Sequence, residues 1–208
     1  MATYTDGFLG PFKGKLGPAH GSSWKGKPVI KGAYKKRTLN ITQKEKNNRI
    51  KFAKAHRWLQ PITEFVRAGF QGYSPTTEGF NAAKSLLYHA FEGEGENLVV
   101  NPAYVLVSYG TMSLPEDISV MQLNDREVKF CWNPSNDGTG DQQDQVMVLA
   151  YNADKRKSSY QLTGDFRKTG ETTLKLPLNK GDYHLYIAFV SPNRKSRSNS
   201  KYLGIITV

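Results

Sequence analysis

Apolar residues are spaced in three different ways along this chain, and the changes in spacing limit the folds that it can adopt. In residues 1–41 large apolar residues stand singly among glycine, proline and lysine, whereas in residues 42–92 they recur at helical intervals. From about residue 98 to residue 208 they alternate with polar residues, as in half-buried β-strands. This order predicts an α+β fold with an extended basic N-terminal arm, a short helical segment and a C-terminal antiparallel β-sandwich.

The positive charge of the chain is concentrated in its N-terminal part. Residues 1–60 contain 14 lysines and arginines against 2 acidic residues, whereas residues 61–208 contain 15 against 16. The net charge of +11 therefore describes a basic segment attached to a nearly neutral body. Charge segregated in this way indicates the kind of partner that a protein binds, and it says little about the fold.

A seven-residue unit, GPxxGxx, occurs twice in the arm, in residues 10–16 and 17–23. Two prolines and this much glycine make a helix costly, so we expect extended or turn-rich chain. The arm has too few apolar residues to fold alone. Its separate aromatic residues among lysines are nevertheless unusual for a disordered tail, and they favour an arm that becomes ordered on a surface.

Two kinds of surface fit this arm. Nucleic acid would bind lysines and arginines through its phosphates and stack its bases on the aromatic residues. A neighbouring protein subunit would instead take the aromatic residues as anchors. The candidate partner-binding or anion-binding residues are Lys13, Lys15, Trp24, Lys25, Lys27, Lys31, Tyr34, Lys35, Lys36, Arg37, Arg49, Lys51, Lys54 and Arg57. The candidate arm anchors are Phe8, Phe12 and Leu16.

The helical segment begins with a recognisable signal. Thr42 and Glu45 have the spacing of a capping box, which predicts that a helix starts at Thr42 and runs to residue 59, just before Pro61. Apolar residues at positions 52, 55, 59 and 62 predict its buried face. Its lysines and arginines either form a solvated surface or extend the anion-binding surface of the arm. A second helix is expected to begin at residue 76 or 77.

The C-terminal part contains short alternating segments separated by turn signals, which predicts an antiparallel sandwich over residues 98–208. The candidate strands are residues 104–109, 118–123, 127–132, 145–151, 159–163, 172–176, 183–190 and 201–208. Trp132 lies on an early strand and is expected in the core. Residues 174–177, a short loop and residues 183–189 resemble the corner between strands E and F of fibronectin type III domains. The resemblance implies an immunoglobulin-like sandwich, in which Tyr183 would close the corner by a hydrogen bond to the backbone.

No constellation in the sequence indicates catalysis. The four histidines are scattered without ligand spacing, and no serine lies in a nucleophile elbow. Residues 21–27 match the start of a P-loop, but Pro28 stands where that motif needs a serine or threonine. We therefore predict no enzymatic activity, no cofactor and no metal site.

Cysteine usage and hydropathy bear on where the protein acts. Cys131 is the one cysteine, which excludes an internal disulfide and fits a reducing compartment. The sequence has no signal-peptide pattern and no run of about 20 apolar residues that would span a membrane. We expect a protein that is cytoplasmic or part of a particle such as a virion.

Three segments together carry a further resemblance. They are residues 10–26 with their GPF-G-K-x-G and WKG elements, the helix of residues 42–59 that ends at Pro61, and the C-terminal residues 186–204. The chain resembles an uncharacterised bacterial family, a domain of unknown function, over nearly its whole length. The resemblance implies this architecture and brings no catalytic residues.

The function expected from the sequence is a non-enzymatic structural role. The basic arm would become ordered on neighbouring subunits of a larger complex, such as a virion or filament. The alternative is a nucleic-acid-binding protein that uses the arm and the helix of residues 42–59.

Overall fold

A computed structural model describes residues 3–4, 10–24, 26–32, 40–135, 138–177 and 180–208. The chain forms two compact units, Met1–Thr42 and Gln43–Val208. The division falls next to Thr42, where the sequence indicates the start of a helix.

The N-terminal unit contains a four-stranded antiparallel sheet with the order β1-β2-β3-β4. Its strands are β1 Thr3–Tyr4, β2 Phe12–Leu16, β3 Ala19–Trp24 and β4 Lys27–Gly32. The segment is extended, as expected, but its strands pair with one another, which the sequence analysis did not predict. Gly17, with a φ of 54°, occupies the left-handed region in the two-residue turn that joins β2 to β3. The repeated glycines therefore allow tight turns between paired strands.

The C-terminal unit begins with three helices: α1 Gln43–Leu59, α2 Thr63–Gly69 and α3 Gly79–Leu87. Helix α1 starts directly after Thr42, as predicted. Pro61 lies in a single 3₁₀ turn between α1 and α2, where its fixed φ is tolerated. The second predicted helix is present as α3, although it begins two or three residues later than expected.

A short connecting region follows the helices. It contains the two-stranded sheet of β5 Phe91–Glu92 and β6 Val99–Val100. Residues 104–109, predicted to form a strand, do not form one. The N–H of Val107 donates to Ser200 Oγ, at 2.9 Å, and the N–H of Tyr109 donates to the carbonyl of Gly69, at 3.0 Å. Because these backbone groups bond to different parts of the structure, no continuous ladder forms.

Seven strands form two further sheets, and all the later strands expected from the sequence are present. The strands are β7 Ser119–Asn124, β8 Glu127–Cys131, β9 Gln145–Asn152, β10 Lys157–Gln161, β11 Glu171–Lys175, β12 Asp182–Val190 and β13 Lys201–Thr207. One sheet has the order β11-β8-β7 and the other β10-β9-β12-β13, with every neighbouring pair antiparallel. The two antiparallel sheets form a sandwich, in agreement with the predicted α+β fold, while its membership of the immunoglobulin-like class stays a prediction.

Two hydrophobic cores meet at the sheet β10-β9-β12-β13. Alternate residues of β9, such as Leu149 and Tyr151, belong to a core shared with the helices, whereas Val148 and Ala150 belong to the core between the two sheets. Strand β12 divides its side chains in the same way. The C-terminal unit is therefore built in three layers, and its two central strands are apolar on both faces, like strands buried in an α/β protein.

The burial of individual side chains agrees with the sequence-based expectation at some positions and differs at Phe52. Trp132 is buried as expected, and its indole N–H donates to the carbonyl of Arg167, at 2.7 Å. Tyr183 is fully buried at the start of β12, while its hydrogen bond to the corner stays a prediction. Phe52, expected on the buried face of α1, is 52% exposed. The Lys84 ammonium lies 3.9 Å from the centroid of its ring and covers it on one side.

Candidate functional site

The register of the N-terminal sheet aligns three basic side chains across three strands. Lys15 of β2 lies opposite His20 of β3, which in turn lies opposite Lys31 of β4. Residues directly opposite one another in an antiparallel sheet point to the same face. Trp24 and Lys27 form a second pair on that face, because Trp24 is four residues from His20 along β3. We call this surface the basic face.

The three aligned residues line an open cavity of about 650 Å³. The turn between β2 and β3, Ser22 and Gly32 complete its wall. Nδ1 of His20 lies 3.0 Å from the carbonyl oxygen of Gly21, which fixes one side of the imidazole ring to the backbone. The cavity is therefore lined by two lysines, the hydroxyl of Ser22 and small residues that leave its opening wide.

Nothing in the described part of this unit neutralises the basic face. Among the residues that the structure describes, the side chains of Lys15, Lys27 and Lys31 form no hydrogen bond or ion pair. The unit has one acidic residue in its sequence, Asp6, which lies outside the described residues. Lys15 and Lys31 carry like charges on the same face of the sheet, so an anion bound between them would reduce their repulsion.

The opposite side of the same sheet carries apolar side chains. Ile30 lies opposite Gly21, and a Cβ atom placed on Gly21 would meet the carbonyl oxygen of Phe12 at 2.1 Å and the ring of Phe12 at 2.7 Å. Gly21 therefore allows Phe12 to lie directly against β3. The ring centroid of Tyr4 is 5.8 Å from that of Phe12. Leu16 follows on the same side, and we call Tyr4, Phe12, Leu16 and Ile30 the apolar face.

The apolar face is open to solvent. Ile30 is 71% exposed, and Leu16 and Tyr4 are also exposed. Within the described residues, all buried apolar side chains belong to the C-terminal unit, Gln43–Val208. The N-terminal sheet thus has an apolar face without a hydrophobic core.

The structure brings together only part of the residue set derived from the sequence. Lys15, Trp24, Lys27 and Lys31 share the basic face, and Lys13 is exposed on β2 opposite Thr3. The candidate anchors Phe12 and Leu16 lie on the apolar face. Other candidates lie outside the described residues, namely Phe8, Lys25, Tyr34, Lys35, Lys36 and Arg37.

His20 and Ile30 are functional candidates that the sequence analysis missed. For Ile30, the signal that could have found it is its position next to Lys31, because neighbouring residues of a strand point to opposite sides and Lys27 and Lys31 share the other one. That spacing predicts a strand with two lysines on one side and Ile30 on the other.

The basic residues of α1 belong to the other unit, and two of them have intramolecular roles. Nζ of Lys51 lies 5.4 Å and 5.3 Å from the ring centroids of Tyr88 and Phe91. The ammonium of Lys54 donates to the carbonyl of Leu98, at 2.6 Å. These contacts tie α1 to the connecting region, so the two lysines are less available to a partner than the sequence indicated.

Arg49 and Arg57 remain exposed on α1. Arg57 lines an open cavity of about 430 Å³ together with Lys54, Trp58 and Arg156. Arg156 is held in place because its guanidinium donates to Gln60 Oε1, at 2.8 Å. Asp154 also lines this cavity, so its three basic residues are partly balanced by a carboxylate.

A buried ion pair closes one end of the sandwich. Nε of Arg167 lies 3.6 Å from Oδ2 of Asp144, and both side chains are buried. Nη2 of Arg167 donates to the carbonyl of Ser113, at 2.6 Å. Burial raises the pKa of Asp144 and lowers the pKa of Arg167, although the attraction between the two charges opposes both changes. The pair connects loops at the end of the sandwich.

Within residues 3–4, 10–24, 26–32, 40–135, 138–177 and 180–208, no three His, Cys, Asp or Glu side chains form a group that could hold a metal ion. No helix in the same part of the chain is long and apolar enough to cross a membrane.

The chain belongs to DUF6266, a family of unknown function, whose model matches residues 11–204. This confirms the predicted membership of a family of unknown function that spans nearly the whole chain. No curated protein matches the chain, and no solved structure matches it.

Proposed function

We propose that this is a non-enzymatic assembly protein whose N-terminal sheet docks on a neighbouring protein subunit through its apolar face. The observation that carries the proposal is the exposure of that face in a unit without a core. Ile30, Leu16 and Tyr4 are exposed there, and Phe12 lies beside them.

The physical reason is that a small sheet needs an apolar layer to stabilise it. A sheet of three or more strands becomes independently stable when its hydrophobic face packs against something. Burying an exposed isoleucine or leucine side chain contributes about 1.5–3 kcal/mol. A neighbouring subunit that covers Ile30 and Leu16 would therefore stabilise the sheet, and the same burial would contribute to the affinity between the two subunits. Exposed apolar surface of this kind commonly marks protein interaction sites.

The C-terminal unit is suited to be the body of such a subunit. Its helices and sandwich bury their apolar side chains in two cores of their own. It therefore does not need the N-terminal sheet for its stability, and the sheet is available for a partner. Assemblies of this type exchange extended segments between subunits, and virions and filaments are the expected setting.

Light scattering coupled to gel filtration tests the proposal. The full chain is expected to form oligomers at moderate concentration, and residues 43–208 alone are expected to be a folded monomer. In the full chain, the double substitution Leu16→Asp/Ile30→Asp should reduce the oligomer to monomer, because it places two charges on the apolar face.

A matched double substitution on the other side of the sheet is the control. Lys15→Glu/Lys31→Glu changes two exposed residues of the same strands and should leave the oligomer intact. The proposal is lost if the full chain is a strict monomer over the whole concentration range. It is equally lost if residues 43–208 form the same oligomer as the full chain.

A further inference from the structure

We infer that the basic face of the N-terminal sheet binds single-stranded nucleic acid, with phosphates on the row Lys15–His20–Lys31 and a base stacked on Trp24. This inference does not rest on the proposed assembly function, because it uses the other side of the sheet.

The basic side chains of this face are arranged in an elongated pattern. Neighbouring strands are about 4.8 Å apart, so the row from Lys15 to Lys31 spans about 10 Å across the sheet. Lys27 lies four residues from Lys31, about 13 Å along the strand. The cations therefore form an elongated track with an open cavity at one end, which fits a chain of phosphates better than a single small anion.

The same face also carries an aromatic residue. Trp24 is 56% exposed beside this track, and it lies directly opposite Lys27. An exposed indole among lysines is the arrangement by which proteins hold single strands, since every base offers a face for stacking. A duplex keeps its bases stacked on each other, so the indole would find no partner there. Tryptophan and lysine also occur together on surfaces that bind anionic membranes, so vesicles are tested beside the oligonucleotide.

Binding through these lysines should depend on salt concentration. With about three phosphates neutralised, the logarithm of the affinity should fall with the logarithm of the salt concentration with a slope of about −2, at about −0.7 per phosphate. Binding is expected to depend little on base sequence, because no side chain on the face is arranged to read base edges.

Tryptophan fluorescence offers a direct readout in the full-length protein. Of the three tryptophans, Trp24 is exposed, whereas Trp58 and Trp132 are 8% and 4% exposed. Titration with a short oligothymidylate at about 50 mM salt should quench the emission of Trp24. Fluorescence anisotropy of the labelled oligonucleotide gives the affinity independently of the tryptophan signal.

Three variants separate charge from stacking. K15E/K31E should weaken binding more than tenfold and make the salt slope shallower. The control K157E/K201E changes two exposed lysines of the sandwich by the same total charge and should bind within twofold of the natural chain. Trp24→Ala should abolish the quenching and weaken binding by roughly 5-fold to 150-fold with an unchanged slope, because stacking contributes about 1–3 kcal/mol per base.

Several results would overturn the inference. They are no binding of the oligothymidylate at about 50 mM salt, equal weakening by K15E/K31E and K157E/K201E, or binding only to vesicles that contain phosphatidylserine. Stronger binding to duplex than to single-stranded DNA would also contradict it. L16D/I30D should keep full oligonucleotide affinity, so the loss of assembly and the loss of nucleic-acid binding are separate outcomes. Circular dichroism and K15Q/K31Q, which should also weaken binding, distinguish lost charge from lost folding.

Discussion

Two four-stranded antiparallel sheets of this protein, β10-β9-β12-β13 and β1-β2-β3-β4, differ in how far their side chains are buried. In the first, strands β9 and β12 bury apolar residues on both faces, against the helices on one side and the second sheet on the other. In the second, one face is basic and the other is apolar and exposed. The comparison teaches that hydrogen-bonded strands alone do not make a self-sufficient unit. A sheet becomes self-sufficient when other layers cover its apolar faces. Among the described residues, no such layer covers the N-terminal sheet.

The largest expected difference between the two sheets concerns stability. Phe189 of β12 is fully buried, with its ring centroid 5.2 Å from that of Trp132. Phe189→Ala should lower the free energy of unfolding by about 3–5 kcal/mol, because it removes a large buried side chain and leaves a cavity. Ile30→Ala, on the apolar face that is exposed in the single chain, should change it by less than about 0.5 kcal/mol at protein concentrations low enough to keep the chain monomeric. Urea unfolding followed by far-ultraviolet circular dichroism measures both, and equal losses would contradict the contrast.

A smaller loss of stability is expected in the N-terminal sheet when a methyl group is added at Gly21. Gly21→Ala would place a Cβ atom 2.1 Å from the carbonyl oxygen of Phe12, so Phe12 must move away from β3. Overpacking of this kind costs about 1–3 kcal/mol, here confined to the N-terminal unit. The matched control is Gly32→Ala, whose Cβ would meet no atom within 4 Å.

Hydrogen exchange distinguishes the two glycine variants. The amides of β3 should lose protection in Gly21→Ala and keep it in Gly32→Ala, while the amides of β12 stay protected in both. If both variants behave alike, the close approach of Phe12 to Gly21 does not hold the sheet together.

The smallest expected effect is a pH dependence of the sandwich sheet. Burial lowers the pKa of His184 on β12, against the opposing influence of Asp154 and Asp182, and its Nδ1 lies 3.0 Å from the hydroxyl of Tyr202. The unfolded chain then binds a proton more readily than the folded one. The stability contributed by neutral His184 is therefore complete above its unfolded pKa of about 6.5 and is lost as the pH falls below it.

Urea unfolding at a series of pH values checks this contribution. The free energy of unfolding should decline less steeply below about pH 6.5 in His184→Gln than in the natural chain. Identical slopes in the two proteins would remove His184 as a source of the pH dependence.

The sequence predicts the C-terminal unit better than the N-terminal one, and the reason is physical. The start of α1 after Thr42 and the strands from β7 to β13 follow from capping and alternation, which are local signals. Residues 104–109 look like a strand, but their backbone groups bond to Gly69 and Ser200, which lie far away in the sequence. Such a competition for hydrogen bonds cannot be read from local pattern.

The candidate site was predictable in its residue types and not in its geometry. Charge and aromatic content singled out Lys15, Trp24 and Lys31. Their common face depends on the register set by the turn at Gly17, and glycine-rich segments specify register weakly at the level of sequence. Lys51 and Lys54 had the same charge pattern, but neighbouring aromatic rings and the carbonyl of Leu98 engage them.

The double burial of β12 has a consequence for the chain before it folds. Residues 185–190 read Leu-Tyr-Ile-Ala-Phe-Val, six apolar residues of high β-propensity without a charge or a proline. A strand that faces solvent on one side carries polar residues that discourage pairing with other chains, but this one has no position for them. While the chain is being synthesised, this segment is prone to aggregate, and it emerges late, after the helices and β9 that will cover it. Rapid docking of β12 onto β9 therefore protects the protein from aggregation as well as completing its fold.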